Sequence, residues 1–262
     1  MTTGKLSLKE RLKRGKAVIG TWSNMPSSPV INALGYSGLD FVIIDAEHSS
    51  VSMETAENLV RASEASGITP IIRVPSLQSH LILRALDVGA HGVQVPHVSG
   101  KDEAAEVVKY AKFFPEGERG FTPFTRAGRY GSQPEGYTDR ANKETMVIVN
   151  IEGKKGIANL KDITKVKGID VIFIGPFDLS QSLGIPGKVT DPKVIKGIRD
   201  GVKFCRDNGL ACGSYAPTLS YLDILMDCGV QYVTYVVDAF MLLQSYKQAC
   251  EYFYKKIGAV KK

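Results

Sequence analysis

Short apolar runs recur along the chain, and longer segments with helical spacing separate them. The stretch FVIID at 41–45 is typical, since its four apolar residues include β-branched side chains and end at a carboxylate. Such a run indicates a strand buried on both faces, as in parallel sheets. Eight runs predict strands, at 17–22, 40–45, 68–73, 91–96, 146–151, 170–175, 210–214 and 231–237.

Helix signals lie between these runs. Ser52 is placed to cap a helix over 53–66 that ends before Gly67. Asp191-Pro192 has the order of an N-cap and a first-turn proline, ahead of a helix that ends near Gly209. Strands and helices are therefore expected to alternate along the whole chain.

Eight β/α units in 262 residues predict an α/β protein with a single (β/α)₈ barrel domain over 1–262. The competing architecture is a doubly wound open sheet, but the first strand turn has no G-x-G-x-x-G. GIPGKVT at 184–190 lacks the spacing of a phosphate-binding loop. The long excursion 113–145 is rich in Gly, Pro and aromatic residues and is expected to be an ordered loop, not a second domain.

Composition is that of an ordinary globular chain, with 44% hydrophobic and 23% charged residues. There is no run of eighteen apolar residues, and the N-terminus lacks the apolar stretch of a secretory signal. We therefore expect a cytoplasmic protein with no membrane partner. The four cysteines form no CxxC pair and have no histidine at zinc spacing, so we expect them to be reduced and buried.

The net charge of +6 comes from the two ends of the chain. Residues 1–16 hold six Lys/Arg against Glu10 alone, and the last eleven residues add four Lys, so the remainder is slightly acidic. This distribution argues against a nucleic-acid-binding face. The segment KERLKRGK at 9–16 is expected to form a solvated terminal helix.

Polar side chains follow four of the predicted strands. Strand two ends at Asp45, with Glu47 and His48 just beyond, and strand three ends at Arg73; Glu152 and Asp178 follow strands five and six. In a barrel, residues at the carboxyl ends of the strands converge on one mouth, where active sites lie. Any one of them alone could be a cap or a surface ion pair.

This set of charges suits one kind of chemistry. Two carboxylates, Glu152 and Asp178, are typical ligands of Mg²⁺ or Mn²⁺, and a 2-oxo acid can chelate such an ion. Arg73 could stabilise negative charge as an enolate forms. His48, with its tautomer fixed by Asp45, could move a proton on a substrate hydroxyl.

Four motifs resemble those of the HpcH/HpaI aldolases, metal-dependent pyruvate aldolases of the phosphoenolpyruvate/pyruvate barrel superfamily. They are Asp-Ala-Glu-His at 45–48, Ile-Arg-Val-Pro at 72–75, Asn-Ile-Glu at 150–152 and Gly-Pro-Phe-Asp-Leu-Ser at 175–180. The resemblance covers nearly the whole chain and includes Gly-Thr-Trp at 20–22, Asp-Val-Gly-Ala at 87–90 and Glu-Arg-Gly at 118–120.

The resemblance implies a carbon–carbon lyase that reversibly cleaves a 4-hydroxy-2-oxo acid into pyruvate and an aldehyde through an enolate. A divalent ion, Mg²⁺ or Mn²⁺ with Co²⁺ as an alternative, would be held by Glu152 and Asp178. Arg73 would contact the enolate, and His48 paired with Asp45 would be the acid/base.

The remaining implied roles concern the substrate and the assembly. Glu47 would bond to water on the metal, the backbone at Gly175 and Pro176 would hold the pyruvate carboxylate, and Trp22 would line the pocket. The family forms trimers or hexamers, which implies that the apolar stripe over 238–253 in the last helix packs on a neighbouring subunit.

Three positions depart from the family pattern. Asn150 stands where many relatives have Gln, so a direct substrate hydrogen bond there could be lost or bridged by water. Gly153 replaces the usual Thr after the metal-ligand Glu, and Phe177 replaces a small residue beside Asp178. The departures leave the metal and base residues in place but leave the identity of the aldehyde undetermined.

Other histidines and arginines have simpler interpretations. His97, which follows strand four, could reach the mouth, but a hydrogen-bonded packing role is favoured; His80 and His91 are given no function. Arg126 and Arg129 could clamp a second substrate carboxylate or pair on the surface. The alternatives left open are a 2-oxo acid decarboxylase or CoA-ester lyase of the same superfamily, a non-catalytic barrel that binds a 2-oxo acid, and a Schiff-base aldolase, which would need a strand-end lysine.

Overall fold

A computed structural model describes residues 6–258, and their eight parallel strands close into a barrel in chain order. This confirms the predicted (β/α)₈ barrel and excludes the open doubly wound sheet. All eight predicted strands are present, with ends that differ by at most two residues. They are β1 Val18–Ser23, β2 Phe41–Asp45, β3 Thr69–Arg73, β4 Gly92–Val95, β5 Met146–Ile151, β6 Val171–Ile174, β7 Ala211–Ala216 and β8 Tyr232–Val237.

Helices surround the barrel, and in residues 6–258 none is long and apolar enough to cross a membrane. They are α1 Leu8–Lys13, α2 Ser28–Tyr36, α3 Met53–Ser66, α4 Ser79–Asp87, α5 Lys101–Ala111, α6 Tyr137–Glu144, α7 Lys154–Ala158, α8 Leu160–Ile163, α9 Pro176–Ser182, α10 Pro192–Asp207, α11 Leu219–Cys228 and α12 Asp238–Lys256.

The two predicted caps are present. The Ser52 hydroxyl accepts a hydrogen bond from Thr55 N–H at 3.2 Å, and α3 stops at Gly67, whose φ of 76° is left-handed. The Asp191 carboxylate accepts a hydrogen bond from Lys193 N–H at 2.8 Å at the start of α10. Both helices therefore begin where a side-chain oxygen satisfies a free N–H group.

Two apolar layers hold the fold together. One lies between the strands and the outer helices, and the other fills the barrel with side chains such as Phe41, Ile43, Ile148 and Tyr232. The Phe41 and Tyr232 rings stack with centroids 4.1 Å apart. The barrel is thus a packed core, and a substrate can bind only at an end.

The N-terminal helix closes the barrel at the amino ends of the strands. Leu8 and Leu12 are buried against the interior layer. Lys9 Nζ lies 3.1 Å from Asp170 Oδ2, and Arg11 pairs with Asp40, which precedes β2. The prediction of a helix here is confirmed, but the prediction that it is solvated is wrong, because one apolar edge and two cations face the barrel.

A buried lysine at the start of the excursion between α5 and β5 bonds to the end of that excursion. Lys112 Nζ donates to the carbonyl oxygens of Asn142 at 2.6 Å and Thr145 at 2.8 Å. Burial is the main cause that lowers the pKa of Lys112, to about 8. The excursion is ordered as predicted, but its final part is helix α6 rather than loop.

Three of the four cysteines, Cys205, Cys212 and Cys228, are buried free thiols as predicted. Cys250 is also free, but the prediction that it is buried is wrong. It lies on α12, most of which is exposed in the single chain. The apolar stripe of that helix is therefore not part of the core of this chain.

Candidate active site

A pocket of about 290 Å³ lies at the carboxyl-end mouth of the barrel. Nine of the ten predicted site residues line it, and Glu47 is the exception; they are Trp22, Asp45, His48, Arg73, Asn150, Glu152, Gly175, Pro176 and Asp178. A cavity of about 340 Å³ at the opposite end is lined by Lys9, Lys112 and Asp170 among others. It contains none of the predicted site residues, so the mouth pocket is the candidate active site.

Asp45 and Arg73 line one side of this pocket. They are register partners on β2 and β3, and they make a two-pronged ion pair, Nε to Oδ1 at 2.9 Å and Nη2 to Oδ2 at 2.7 Å. Asp45 Oδ1 also accepts the backbone N–H groups of Glu47 at 3.0 Å and His48 at 3.2 Å. The carboxylate that ends strand β2 thus orders both the arginine and the turn that follows.

Arg73 is held on three sides. Its guanidinium carbon lies 4.3 Å from the centre of the Trp22 ring, and its Nη1 lies 2.9 Å from Glu47 Oε2. The Nη1 contact is an ion pair without hydrogen-bond geometry, so Glu47 Oε2 is buried with no hydrogen-bond partner among the described residues. A fixed guanidinium that faces a pocket can stabilise negative charge on a bound oxygen.

His48 stands apart from Asp45. In the part of the chain that the structure describes, its ring makes no hydrogen bond to Asp45, which bonds only to the His48 backbone. The ring Nε2 lies 3.8 Å from Glu47 Oε2, and the side chain is 68% exposed. The contact by which Asp45 would set the His48 tautomer is thus not present among the described residues, and both carboxylate oxygens of Asp45 are bonded to Arg73.

Glu152 accepts two hydrogen bonds and lies in ion-pair distance of the His97 ring. The Asn150 amide nitrogen donates to Oε1 at 2.9 Å, and the His97 backbone N–H donates to Oε2 at 3.1 Å. The His97 ring Nδ1 lies 2.7 Å from the same Oε2. Asn150 in turn accepts a hydrogen bond from Gln94 Nε2 at 2.7 Å, so its amide is engaged by protein groups on both sides.

Asp178 lies in the first turn of α9, directly after β6. Desolvation in the concave mouth, followed by the charge of Glu152, raises the pKa of Asp178, although its side chain is open to the pocket. A Cβ on Gly175 would come within 2.7 Å of Asp178 Oδ2, so a larger residue there would shift that carboxylate from its present position.

These features bear on whether a cation fits. Burial raises the pKa of Glu47, and the charge of Glu152 adds to that increase, so Glu152 lies near enough to both Glu47 and Asp178 for their charges to repel. A divalent ion would offset this repulsion, and carboxylate oxygens suit Mg²⁺ or Mn²⁺. Over residues 6–258 no group of three or more His, Cys, Asp or Glu side chains is arranged to hold a metal ion. Glu152 and Asp178 alone would suit an ion that takes few protein ligands and keeps several waters.

Sequence reasoning missed two residues of the mouth. His97 was assigned to packing, but its side chain is 71% exposed and contacts two carboxylates, Glu47 and Glu152. Tyr215 lines the pocket, and its ring centroid lies 5.9 Å from that of Phe177. The predicted strand 210–214 stopped one residue short of Tyr215, and the correct strand end would have identified it.

Four other candidates lie outside the pocket. His80 lies in α4, and His91 precedes β4 with its Nε2 3.3 Å from Glu64 Oε1. Arg126 pairs with Glu64, and Arg129 Nη1 donates to Gln133 Oε1 at 2.9 Å. Within one described chain, both arginines fit the surface-pair interpretation.

The closed barrel and the charged mouth define a TIM-barrel enzyme as the class of protein. More particularly, the chain belongs to the HpcH/HpaI aldolase/citrate lyase family, which matches residues 18–244. This confirms the resemblance inferred from the four motifs.

Individual relatives agree with this assignment. The chain is 34% identical over 232 residues to 2-dehydro-3,6-dideoxy-6-sulfogluconate aldolase of Pseudomonas putida, covering 88% of this chain and 91% of the relative. It is 34% identical over 242 residues to hydroxypyruvate/pyruvate aldolase of Roseobacter denitrificans, covering 92% of this chain and 94% of the relative.

A solved structure supports the same assignment. The crystal structure of a family member from Burkholderia cenocepacia aligns with a TM-score of 0.89 and 30% identity, covering 94% of this chain and 98% of that one. The protein is therefore an enzyme of the aldolase type, a lyase that acts on carbon–carbon bonds.

Proposed function

We propose that this enzyme reversibly cleaves a 4-hydroxy-2-oxo acid into pyruvate and an aldehyde, with a divalent metal as cofactor. The observation that carries the proposal is the arrangement at the mouth, where a fixed Arg73 and the acids Glu152 and Asp178 line one pocket. Relatives named pyruvate and sugar-acid aldolases, at about a third identity over most of the chain, support it.

Glu152 and Asp178 are the residues that would hold the ion, aided by Glu47 through water. A divalent ion supplies a Lewis acid for the 2-oxo carbonyl. Two structural features fit this role: Glu47 Oε2 is buried and accepts no hydrogen bond from the described residues, and Asp178 lines the pocket beside Glu152.

The proton and charge steps fall to two side chains. Arg73, fixed by Asp45 and stacked on Trp22, would stabilise the negative charge that collects on the substrate oxygen during cleavage. His48 lines the pocket with its ring free of Asp45, so it can reach a substrate hydroxyl and remove the proton as the C–C bond breaks. In the reverse direction it returns that proton.

The pocket also has a wall for the aldehyde end. The backbone at Gly175 and Pro176 would receive the pyruvate carboxylate, which leaves the outer side to Phe177 and Tyr215. Phe177 is 46% exposed, and its ring lies 5.9 Å from the Tyr215 ring in the pocket lining, so the two rings would border the aldehyde. Asn150 bonds to Glu152 and Gln94, so we infer that it acts on the substrate through Glu152.

The rival functions make different demands on the same residues. A Schiff-base aldolase needs a lysine in the pocket, and no lysine is found among the described residues that line it. A non-catalytic binding barrel would not need His48, Glu152 and Asp178 together. A decarboxylase of the same family would use the acids and Arg73 but has no substrate hydroxyl for His48. A CoA-ester lyase would cleave a C–C bond beside a hydroxyl, as an aldolase does, and would differ in the thioester that it must bind.

A screen of aldehydes with pyruvate tests the proposal. With Mn²⁺, Mg²⁺ or Co²⁺ present, we expect at least one hydroxylated or acidic aldehyde to yield a 4-hydroxy-2-oxo acid, detected as loss of pyruvate and by mass. Addition of EDTA should abolish the product, and excess metal should restore it. Full product formation in EDTA would refute the metal dependence.

The last helix supports a further part of the proposal, a homo-oligomer in which α12 packs on a neighbouring subunit. Seven large apolar side chains of α12 are at least 41% exposed in the single chain: Phe240, Met241, Leu242, Leu243, Tyr246, Tyr252 and Phe253. An apolar surface of this kind marks a protein contact.

Sedimentation should therefore show a trimer or hexamer. The double substitution Leu242→Glu with Leu243→Glu should shift the protein to smaller species, since it places charges within the apolar face. The control Lys247→Glu on the same helix should sediment as the unmodified protein does. A monomeric unmodified protein would contradict the proposal.

A further inference from the structure

His97 occupies an unusual position at the mouth. It follows β4 by two residues and has a φ of 59°, in the left-handed region that non-glycine residues seldom adopt. The side chain is 71% exposed, so its own packing does not impose this backbone conformation. A strained residue that the core does not require points to a role in the site it borders.

The left-handed backbone brings two groups of His97 to one oxygen. Its backbone N–H lies 3.1 Å from Glu152 Oε2, and its ring Nδ1 lies 2.7 Å from the same atom. The other ring nitrogen, Nε2, lies 3.2 Å from Glu47 Oε1. One imidazole therefore links a carboxylate after β5 to a carboxylate after β2.

A chain of polar contacts runs through this link. From Gln94 the contacts pass to Asn150, to Glu152 and through His97 to Glu47. Arg73 continues the series from Glu47 to Asp45. His97 is the exposed member that joins the acid half of the mouth to the arginine half.

We propose that His97 is a positioning residue that fixes the Glu152 carboxylate for cation binding. The inference rests on the proposed function, because it assigns Glu152 to the metal. Asn150 holds Oε1 and His97 holds Oε2, so the carboxylate has one orientation. Without the ring, Oε2 would keep only the backbone N–H, and the group could turn away from Asp178.

Two substitutions separate the contacts. His97→Gly removes the ring but accepts the left-handed backbone, so the N–H bond to Glu152 can persist. His97→Asn also tolerates the left-handed backbone. The amide nitrogen of asparagine is three bonds from Cα, as Nδ1 of histidine is, so the variant keeps a donor for Glu152 but loses the contact to Glu47. The control is His80→Ala, at an exposed position of α4. Alanine is used here because glycine would weaken the helix.

The measurement is Mn²⁺ affinity, from the free-ion signal in electron paramagnetic resonance, with no substrate present. We expect His97→Gly to weaken Mn²⁺ binding by about 10- to 100-fold, the range for loss of a group that orients a metal ligand. His97→Asn should bind within a few-fold of the unmodified enzyme, and His80→Ala should not change. The thermal midpoints should be similar in all four proteins.

The outcomes are distinct. Equal affinity in the unmodified protein and His97→Gly would overturn the positioning role while leaving the metal site intact. Equal losses in His97→Gly and His97→Asn would overturn the assignment to Glu152 and point to the Glu47 contact. Failure of the unmodified protein to bind Mn²⁺ would overturn the proposed function, and this inference with it.

Discussion

Removal of either proposed ligand, by Glu152→Gln or by Asp178→Asn, should weaken Mn²⁺ binding by more than about 100-fold, which exceeds the usual cost of losing an outer partner. Each substitution removes one of only two protein carboxylates that would contact the ion. Pyruvate formation from a 4-hydroxy-2-oxo acid should fall in parallel. The measurement is titration of Mn²⁺ by calorimetry beside a product assay.

The same variants should remain folded without metal. Desolvation and the nearby Glu152 charge raise the pKa of Asp178, which means that the charged form is disfavoured in the folded protein. Removal of that charge should leave the thermal midpoint unchanged or slightly higher at neutral pH. Glu106→Gln, at an exposed position on α5, is the matched control. An unchanged Mn²⁺ titration in either ligand variant would place the metal elsewhere.

Arg73 and His48 should be separable by a reaction that lacks a substrate hydroxyl. Oxaloacetate can lose CO₂ to give the pyruvate enolate, and this step has no hydroxyl proton to remove. His48→Ala should slow aldol cleavage by about 10²- to 10⁴-fold, the usual contribution of a general base, and largely spare decarboxylation. Because the His48 side chain is exposed, its removal should not impair folding, so a loss of this size would report on catalysis.

Arg73→Lys should instead slow both reactions, by about 10²-fold, the scale of a lost oxyanion donor. Lysine keeps a positive charge beside the buried Asp45 but lacks the two-pronged contact. Substitution with alanine is less informative, because it would leave the Asp45 carboxylate buried without its partner. If His48→Ala abolished both reactions while Mn²⁺ still bound, the role of His48 would not be confined to the hydroxyl proton.

The barrel could be predicted because its strands are continuous apolar runs with caps and glycines between them. The Asp45–Arg73 ion pair could not be predicted, because it depends on the register of β2 against β3. The apolar pattern of each strand does not specify that register. From the sequence alone Asp45 is a possible partner of the His48 ring, whereas the register places Arg73 on both Asp45 oxygens.

Two further features depended on local backbone geometry. His97 reaches Glu152 only because its backbone is left-handed, a conformation that no sequence signal marks for histidine. Helix α1 has only six residues, too few to show the apolar periodicity that places Leu8 and Leu12 against the barrel. Short elements and strained residues are set by tertiary contacts, so sequence patterns indicate their presence but not their partners.

The central claim is that the mouth of this barrel generates the pyruvate enolate with a divalent metal as cofactor. Exchange of the pyruvate methyl protons in D₂O, followed by proton NMR, measures this without knowledge of the aldehyde. We predict exchange with enzyme and Mn²⁺ or Mg²⁺, and none above background in EDTA or with the variant Asp178→Asn. Exchange at the full rate in EDTA, together with a borohydride-trapped lysine adduct, would contradict the account.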